Sequence, residues 1–157
     1  MMIKNNFWSF LFIISIFLLD RFSKVIIINF VESYGNSILL ETSYLNFNLI
    51  WNDGIAFGLF SFDQKIYYNT LTAIIILITA IIFWMIMRTK RLEKIAFMMI
   101  FGGSIGNIFD RIYYSSVPDF IDIHFNNFHW FIFNVADIFI TLGVLLLIYL
   151  EIFLKKA

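Results

Sequence analysis

No cysteine occurs in the 157 residues, which excludes disulfides, thiolate-held metals and a cysteine nucleophile together. Histidine is nearly absent. His124 and His129 do not match the i, i+4 spacing of a zinc-binding helix face, and two such residues make a poor ligand set. No metal and no cofactor is therefore expected. Charge is scarce as well. Asp, Glu, Lys and Arg make up 14% of the chain, against about 25% in an average soluble domain. The 11 acids balance the 11 Lys and Arg residues, so nothing points to a nucleic-acid partner. Hydrophobic residues are what the chain has most of, at 61%, with 21 Phe and a mean hydropathy of +0.87. Soluble domains run at about 45–50% apolar residues. The excess needs a bilayer as its solvent.

The expected fold class is an all-α membrane protein. Four transmembrane helices carry a small extracytoplasmic β-sheet and a short outer helix or loop. Crossing the hydrocarbon takes roughly 20 apolar residues. Four stretches suffice, at about 7–28, 66–87, 95–112 and 131–154. The first has Lys4 before an apolar run but no small-residue cleavage site, so it reads as a retained span rather than a removed leader. The whole of 1–157 is expected to form one membrane-embedded domain.

Orientation follows from the basic residues. Lys4, the group Arg88, Lys90, Arg91 and Lys94, and the pair Lys155 and Lys156 all fall on one side of a four-span chain. The other connections hold Lys65 and little else that is basic. Both termini are thus expected in the cytoplasm, with segments of about 29–65 and 113–130 outside. In the first outer segment, Ser37 to Trp51 alternates partly and is rich in Ile, Leu, Thr, Tyr and Phe, as strands are. It ends in the turn sequence Asn52-Asp53-Gly54. The second is short and aromatic, with Phe125, Phe128, His129 and Trp130, and reads as interfacial.

Charges inside spans cost at least about 2.5–3.5 kcal/mol each, yet several occur. Asp20, Arg21 and Lys24 lie in the outer half of the first span. Asn107, Asp110 and Arg111 lie near the outer end of the third, and Asn134 and Asp137 at the start of the fourth. All share one depth. Asp20 and Lys24 are spaced i, i+4. The pairs Asp20–Lys24 and Asp110–Arg111 read equally well as structural ion pairs or as parts of a site. Asp137 has no base within one turn. Asp119 lies in an apolar segment behind Pro118, which favours extended backbone. Asp122 is three residues further on, and in an extended segment it points to the opposite face.

Asp119 and Asp137 together make a carboxylate pair at the membrane surface. Two close carboxylates do not both ionise cheaply, so one keeps a proton. The ionised member can take a proton from water as it attacks a carbonyl, and the protonated member can stabilise the developing oxyanion. Amide hydrolysis then needs neither metal nor cysteine.

Five blocks resemble the lipoprotein signal peptidase (signal peptidase II) family, in the family's order and over nearly the whole chain. Asp20-Arg21-Phe22-Ser23-Lys24 is similar to D-x-x-[ST]-K. Asn52-Asp53-Gly54-Ile55-Ala56-Phe57-Gly58 is similar to N-x-G-x-A-[FW]-[GS]. The run Gly102 to Arg111 is similar to G-G-x-x-G-N-x-x-D-R. Pro118-Asp119-Phe120-Ile121 is similar to V-D-F-[IV], with Pro118 where Val is usual. Phe133-Asn134-Val135-Ala136-Asp137 is similar to F-N-x-A-D. The resemblance implies an aspartyl endopeptidase of the bacterial cytoplasmic (inner) membrane, multi-pass, with its active site at the outer face. It implies cleavage of diacylglyceryl-modified prolipoproteins before the lipidated Cys, a monomer among membrane lipid, and inhibition by globomycin-type cyclic peptides. By motif position the catalytic residues are Asp119 and Asp137. Asp20, Lys24, Asn52, Gly54, Asn107, Asp110, Arg111, Asn134 and Ala136 bind substrate or support the site. Ala136 is expected to keep the site open, Gly102, Gly103 and Gly106 to pack helices, and Trp51, Phe57 and Phe60 to border the substrate.

Two other classes fit the composition. A transporter or channel subunit would use Asp20, Asp110 and Asp137 as a relay, but a relay runs through the full depth, whereas the second span has no charges and the inner half of the bundle is apolar. A purely structural membrane protein has no use for unpaired acids at one depth.

Overall fold

The computed structural model describes residues 2–54, 65–126 and 128–154. Ile55, Ala56, Phe57, Gly58, Phe60, Lys155 and Lys156, and the side chains of Lys4 and Lys65, lie outside the described residues. The order is α1 (Met2–Tyr34), β1 (Ile38–Glu41), β2 (Leu45–Asn52), α2 (Lys65–Arg88), α3 (Arg91–Tyr114), β3 (Val117–Phe125), β4 (Phe128–Phe133) and α4 (Val135–Tyr149). A π-helical turn, Leu150–Leu154, continues α4.

Among the described residues, three helices are long and apolar enough to cross a membrane: Ile66–Arg88, Arg91–Tyr114 and Val135–Leu154. The first of these coincides with the second expected span. α1 is longer than any of them, at 33 residues, but Asp20, Arg21 and Lys24 interrupt its apolar run. The protein is turned inside out relative to a soluble domain. Leu77, Phe83, Trp84 and Leu145 are exposed, whereas Asp20, Lys24, Asp110 and Asn134 have no exposed surface. Such an arrangement is stable where the surroundings are themselves apolar and charges are gathered inside.

α3 packs against α1, α2 and α4. Small residues allow the approach. A Cβ on Gly103 would sit 2.5 Å from the Ala136 carbonyl oxygen of α4, and one on Gly106 would sit 2.5 Å from Asp20 Oδ2 of α1. α3 ends at Ser115, whose φ of 58° is left-handed, and Pro118 follows closely, as it often does after a helix end.

The four strands form one antiparallel sheet in the order β1-β2-β3-β4. β1 and β2 lie where the alternating segment predicts them. The second outer segment departs from expectation, since it is neither loop nor helix. It supplies the central strand β3 and the edge strand β4, with His124 opposite His129 and Ile121 opposite Phe133. Phe131–Phe133, expected in the fourth span, are therefore strand, and helix begins only after Asn134. An apolar run alone does not separate strand from helix, whereas the cap at Asn134 does. Pro118 is the second residue of β3, opposite Trp51, near the strand start, where a missing N–H donor is tolerated. Since β3 follows α3 and β4 leads into α4, the sheet hairpin brings Asp119 back beside the first turn of α4.

Candidate active site

Asn134 is the junction. Its Nδ2 donates to Asp119 Oδ1 at 2.6 Å. Its Oδ1 accepts from the Asp137 N–H at 3.1 Å, and its own N–H donates to Asp137 Oδ2 at 3.1 Å. The last two bonds form a reciprocal capping box at the start of α4. One fully buried residue thus binds both acids, Asp119 through its side-chain amide and Asp137 through its backbone N–H, and fixes where the helix starts. Asn52 Nδ2 donates to the other oxygen of Asp119 at 2.8 Å. Asn52 is itself held in the expected turn, where its Oδ1 accepts from the Gly54 N–H at 2.9 Å. Asn107 Nδ2 donates to Asp137 Oδ1 at 2.9 Å, which supplies the long-range partner that Asp137 lacks locally.

Behind this layer lies a buried ion network. Lys24 Nζ donates to Asp20 Oδ2 at 2.8 Å, Asn107 Oδ1 at 2.9 Å and Asp110 Oδ2 at 2.7 Å. Asp20 Oδ1 accepts from the Ala136 N–H at 3.0 Å. Asp110 does not pair with Arg111. Neighbours in sequence point to different helix faces, and Asp110 is met instead by Lys24 and by Arg21 Nη1 at 2.5 Å. Arg111 turns away, donates to the Gly54 carbonyl and lies 5.6 Å from the ring centroid of Tyr68. It thereby ties α3 to the turn after β2. Ala136 does not border an opening. It has no exposed surface, and its backbone carbonyl lies against Gly103.

Asp122 stays out of the site, as its register implies. It is buried and takes His129 Nδ1 at 2.9 Å. Asp119 is also buried, at 4% exposure. Burial, and next the charge of Asp137, push its carboxyl up to about 7, against the opposing effect of the Asn52 and Asn134 hydrogen bonds. Asp119 opens onto a cleft of about 320 Å³ whose walls include Trp51, Asn52, Trp130 and Phe131. Among the described residues, no group of three or more His, Asp and Glu is placed to hold a metal ion. Tyr68 is a part of the assembly that the sequence did not single out, and Arg21 is marked there only as a charge at the shared depth, not as a site residue. Arg21 stands at an open position of its motif, and Tyr68 lies in a span with no charge to mark it.

Comparison with known proteins decides the family. The signal peptidase (SPase) II family matches residues 12–153. The chain belongs to the signal peptidase II family. A lipoprotein signal peptidase of Pelagibacter ubique (strain HTCC1062) is 46% identical over 154 residues, covering 98% of this chain and 93% of that protein. One of Francisella tularensis subsp. novicida (strain U112) is 38% identical over 151 residues, covering 94% and 92%. Among solved structures, a bacterial membrane enzyme determined by the in meso method at 2.3 Å resolution matches with a TM-score of 0.70 and 25% identity, over 95% of this chain and 91% of that one. A second, at 1.9 Å, matches with a TM-score of 0.69 and 26% identity, over 92% of each.

Proposed function

We propose that Asp119 and Asp137 are the catalytic pair of this signal peptidase, and that they cleave the prolipoprotein signal peptide with one activated water. The enzyme removes signal peptides from prolipoproteins and is a membrane-embedded bacterial protease. The observation that supports the assignment is the bridge through Asn134, whose side chain binds the Asp119 carboxylate and whose backbone N–H binds the Asp137 carboxylate. Each acid accepts two hydrogen bonds, Asp137 from Asn107 and the Asn134 N–H and Asp119 from Asn52 and Asn134, and we assign the ionised base to Asp137. Asp119, with its carboxyl pushed up to about 7, suits the protonated partner that donates to the scissile carbonyl oxygen. The pair shares one proton and titrates as a unit. Asp20, Lys24, Asn107, Asp110 and Arg111 hold this geometry, and Asn52 and Gly54 form the turn that borders the cleft.

The peptide bond cut is the one before the diacylglyceryl-modified Cys. The acyl chains stay in the bilayer and present the peptide to the cleft between Trp51 and Trp130. Burying acyl chain contributes about 0.8 kcal/mol per CH₂, so the lipid localises the substrate. α1 serves as a fourth span, because its charges are answered within the protein rather than by lipid. Both termini then lie in the cytoplasm with Arg88, Lys90, Arg91 and Lys94, and the sheet lies on the outer face of the inner membrane. The chain acts as one domain and as a monomer, and globomycin-type cyclic peptides block the cleft.

Purified Asp119→Asn and Asp137→Asn enzymes test the assignment on a diacylated precursor. Each is expected to be present at normal abundance and inactive, since Asn keeps the shape but neither holds nor releases the proton. Cleavage by a folded Asp119→Asn enzyme would remove Asp119 from the pair. Reporter fusions after Lys94 test the topology, and an external signal there would overturn the span count.

A further inference from the structure

Lys24 has three protons and spends all three, on Asp20, Asn107 and Asp110. Two of those acceptors are carboxylates without exposed surface. A single ammonium does not neutralise two buried carboxylates, and uncompensated charge there is costly. The second cation is Arg21, whose Nη1 lies 2.5 Å from the oxygen of Asp110 that Lys24 does not use. Its guanidinium also lies 4.9 Å from the ring centroid of Phe109, a favourable cation–π distance. Among the described residues, Arg21 Nε and Nη2 and Asp110 Oδ1 are buried and make no hydrogen bond, so Arg21 meets Asp110 as an ion pair by proximity and not through a hydrogen bond. Buried, unpaired donors destabilise. Packing alone gives no reason to keep this cation, so its use lies in the charge it delivers to Asp110.

That charge reaches the reacting acids in two steps. With Asp110 answered by Arg21, Lys24 remains available to Asn107. An ammonium can only donate, so Lys24 forces the Asn107 amide to present Oδ1 to it and Nδ2 to Asp137. We infer that Arg21 is a positioning residue for the peptidase reaction, which acts through Asp110 and Lys24 to set the orientation of the Asn107 amide against Asp137. The inference rests on the reading of Asp119 and Asp137 as the catalytic pair. Its basis is the geometry of this chain, because the motif leaves position 21 open.

The experiment measures kcat, KM and the pH profile of purified enzyme on a diacylated precursor, for Arg21→Gln, Arg21→Lys, the double variant Arg21→Gln/Asp110→Asn, and Asp137→Asn. In Arg21→Gln, kcat is expected to fall on the order of tenfold to a hundredfold, the range for a misplaced reacting group. KM should stay within about twofold, because Arg21 does not line the cleft. With the Asn107 amide no longer fixed, Asp137 loses a donor to its charged form, and the acidic limb of the profile should also move up by about one pH unit. Arg21→Lys keeps the charge and is expected to recover most of kcat and the wild-type limb. In the double variant both buried charges go together, Lys24 keeps Asn107, and activity should recover relative to Arg21→Gln alone. A merely structural cation would change abundance and thermal stability but leave the limb where it is. A folded Arg21→Gln enzyme with wild-type kcat and limb, beside an inactive Asp137→Asn, would overturn the positioning role while leaving the pair intact. An active Asp137→Asn would overturn the pair, and the positioning role with it. If purified Arg21→Gln does not accumulate, the same limb is read per folded molecule in native membranes: a raised limb supports the inference, and a wild-type limb refutes it.

Discussion

Replacing Gly106 by Ala tests the link between helix packing and the site. A Cβ there would lie 2.5 Å from Asp20 Oδ2 and 3.2 Å from its Cγ. The carboxylate has no room to yield freely, because Lys24 holds one oxygen at 2.8 Å and the Ala136 N–H holds the other at 3.0 Å. A hydrogen bond to a charged group contributes about 1.5–3 kcal/mol. Losing one and stretching the other should therefore destabilise the fold by about 2–4 kcal/mol. Gly102→Ala is the matched control. Its Cβ meets Ile16 Cβ and Cγ2 at 3.0 Å, an apolar overpacking that costs about 1–3 kcal/mol and touches no charge. Thermal unfolding in detergent and precursor cleavage per folded molecule would be measured on both. Gly106→Ala should lose activity beyond its loss of folded protein, since Asp20 positions Lys24 and the start of α4. Gly102→Ala should lose only abundance. Equal activity per folded molecule in the two variants would refute the idea that Gly106 serves the site.

Asp110→Asn should lower abundance or melting temperature while retaining some cleavage per folded molecule, because Arg21 and Lys24 lose a buried counter-charge; thermal scans of purified protein check this. Asp122→Asn should be mild in cleavage assays, since its partner His129 is half exposed and far from the pair's hydrogen bonds. The acidity of Asp119 has a stability consequence. Its folded value of about 7 lies above the ordinary 3.8, so its contribution is fully present below pH 3.8 and is lost as pH rises towards 7. The slope of thermal stability between about pH 4 and 7 should accordingly flatten in Asp119→Asn, and an unchanged slope would contradict the shift. Cleavage should persist in EDTA, and a loss restored by zinc would replace the two-acid mechanism with a metal-dependent one.

Much of this was legible in the sequence because membrane physics leaves strong marks. Helices α2 to α4 follow from hydropathy, and the turn at Asn52-Asp53-Gly54 from its residues. The spacing of Asn134 and Asp137 already contained the capping box. The β3–β4 hairpin was not legible, because Phe125, Phe128 and Trp130 read equally well as interfacial aromatics and strand pairing is a long-range fact. Asp110 was assigned to Arg111 by adjacency, which a helix does not honour. The acids themselves stood out by depth and by motif. Arg21 shared the depth but was not marked as a site residue, since its role depends on a carboxylate on another helix.

The double duty of the Asn134–Asp137 pair also limits how the enzyme can escape an inhibitor. A compound anchored on these two side chains contacts the capping box that starts a helix and, with Asp137, an acid that we assign to the reaction. A replacement that weakens the drug there unravels the first turn of α4 and disables the chemistry at once. Resistance is left to the aromatic walls at Trp51 and Trp130, where side chains can change without disturbing a buried bond. A ligand that avoids those walls and binds through the amide and the acids gives selection little to work on.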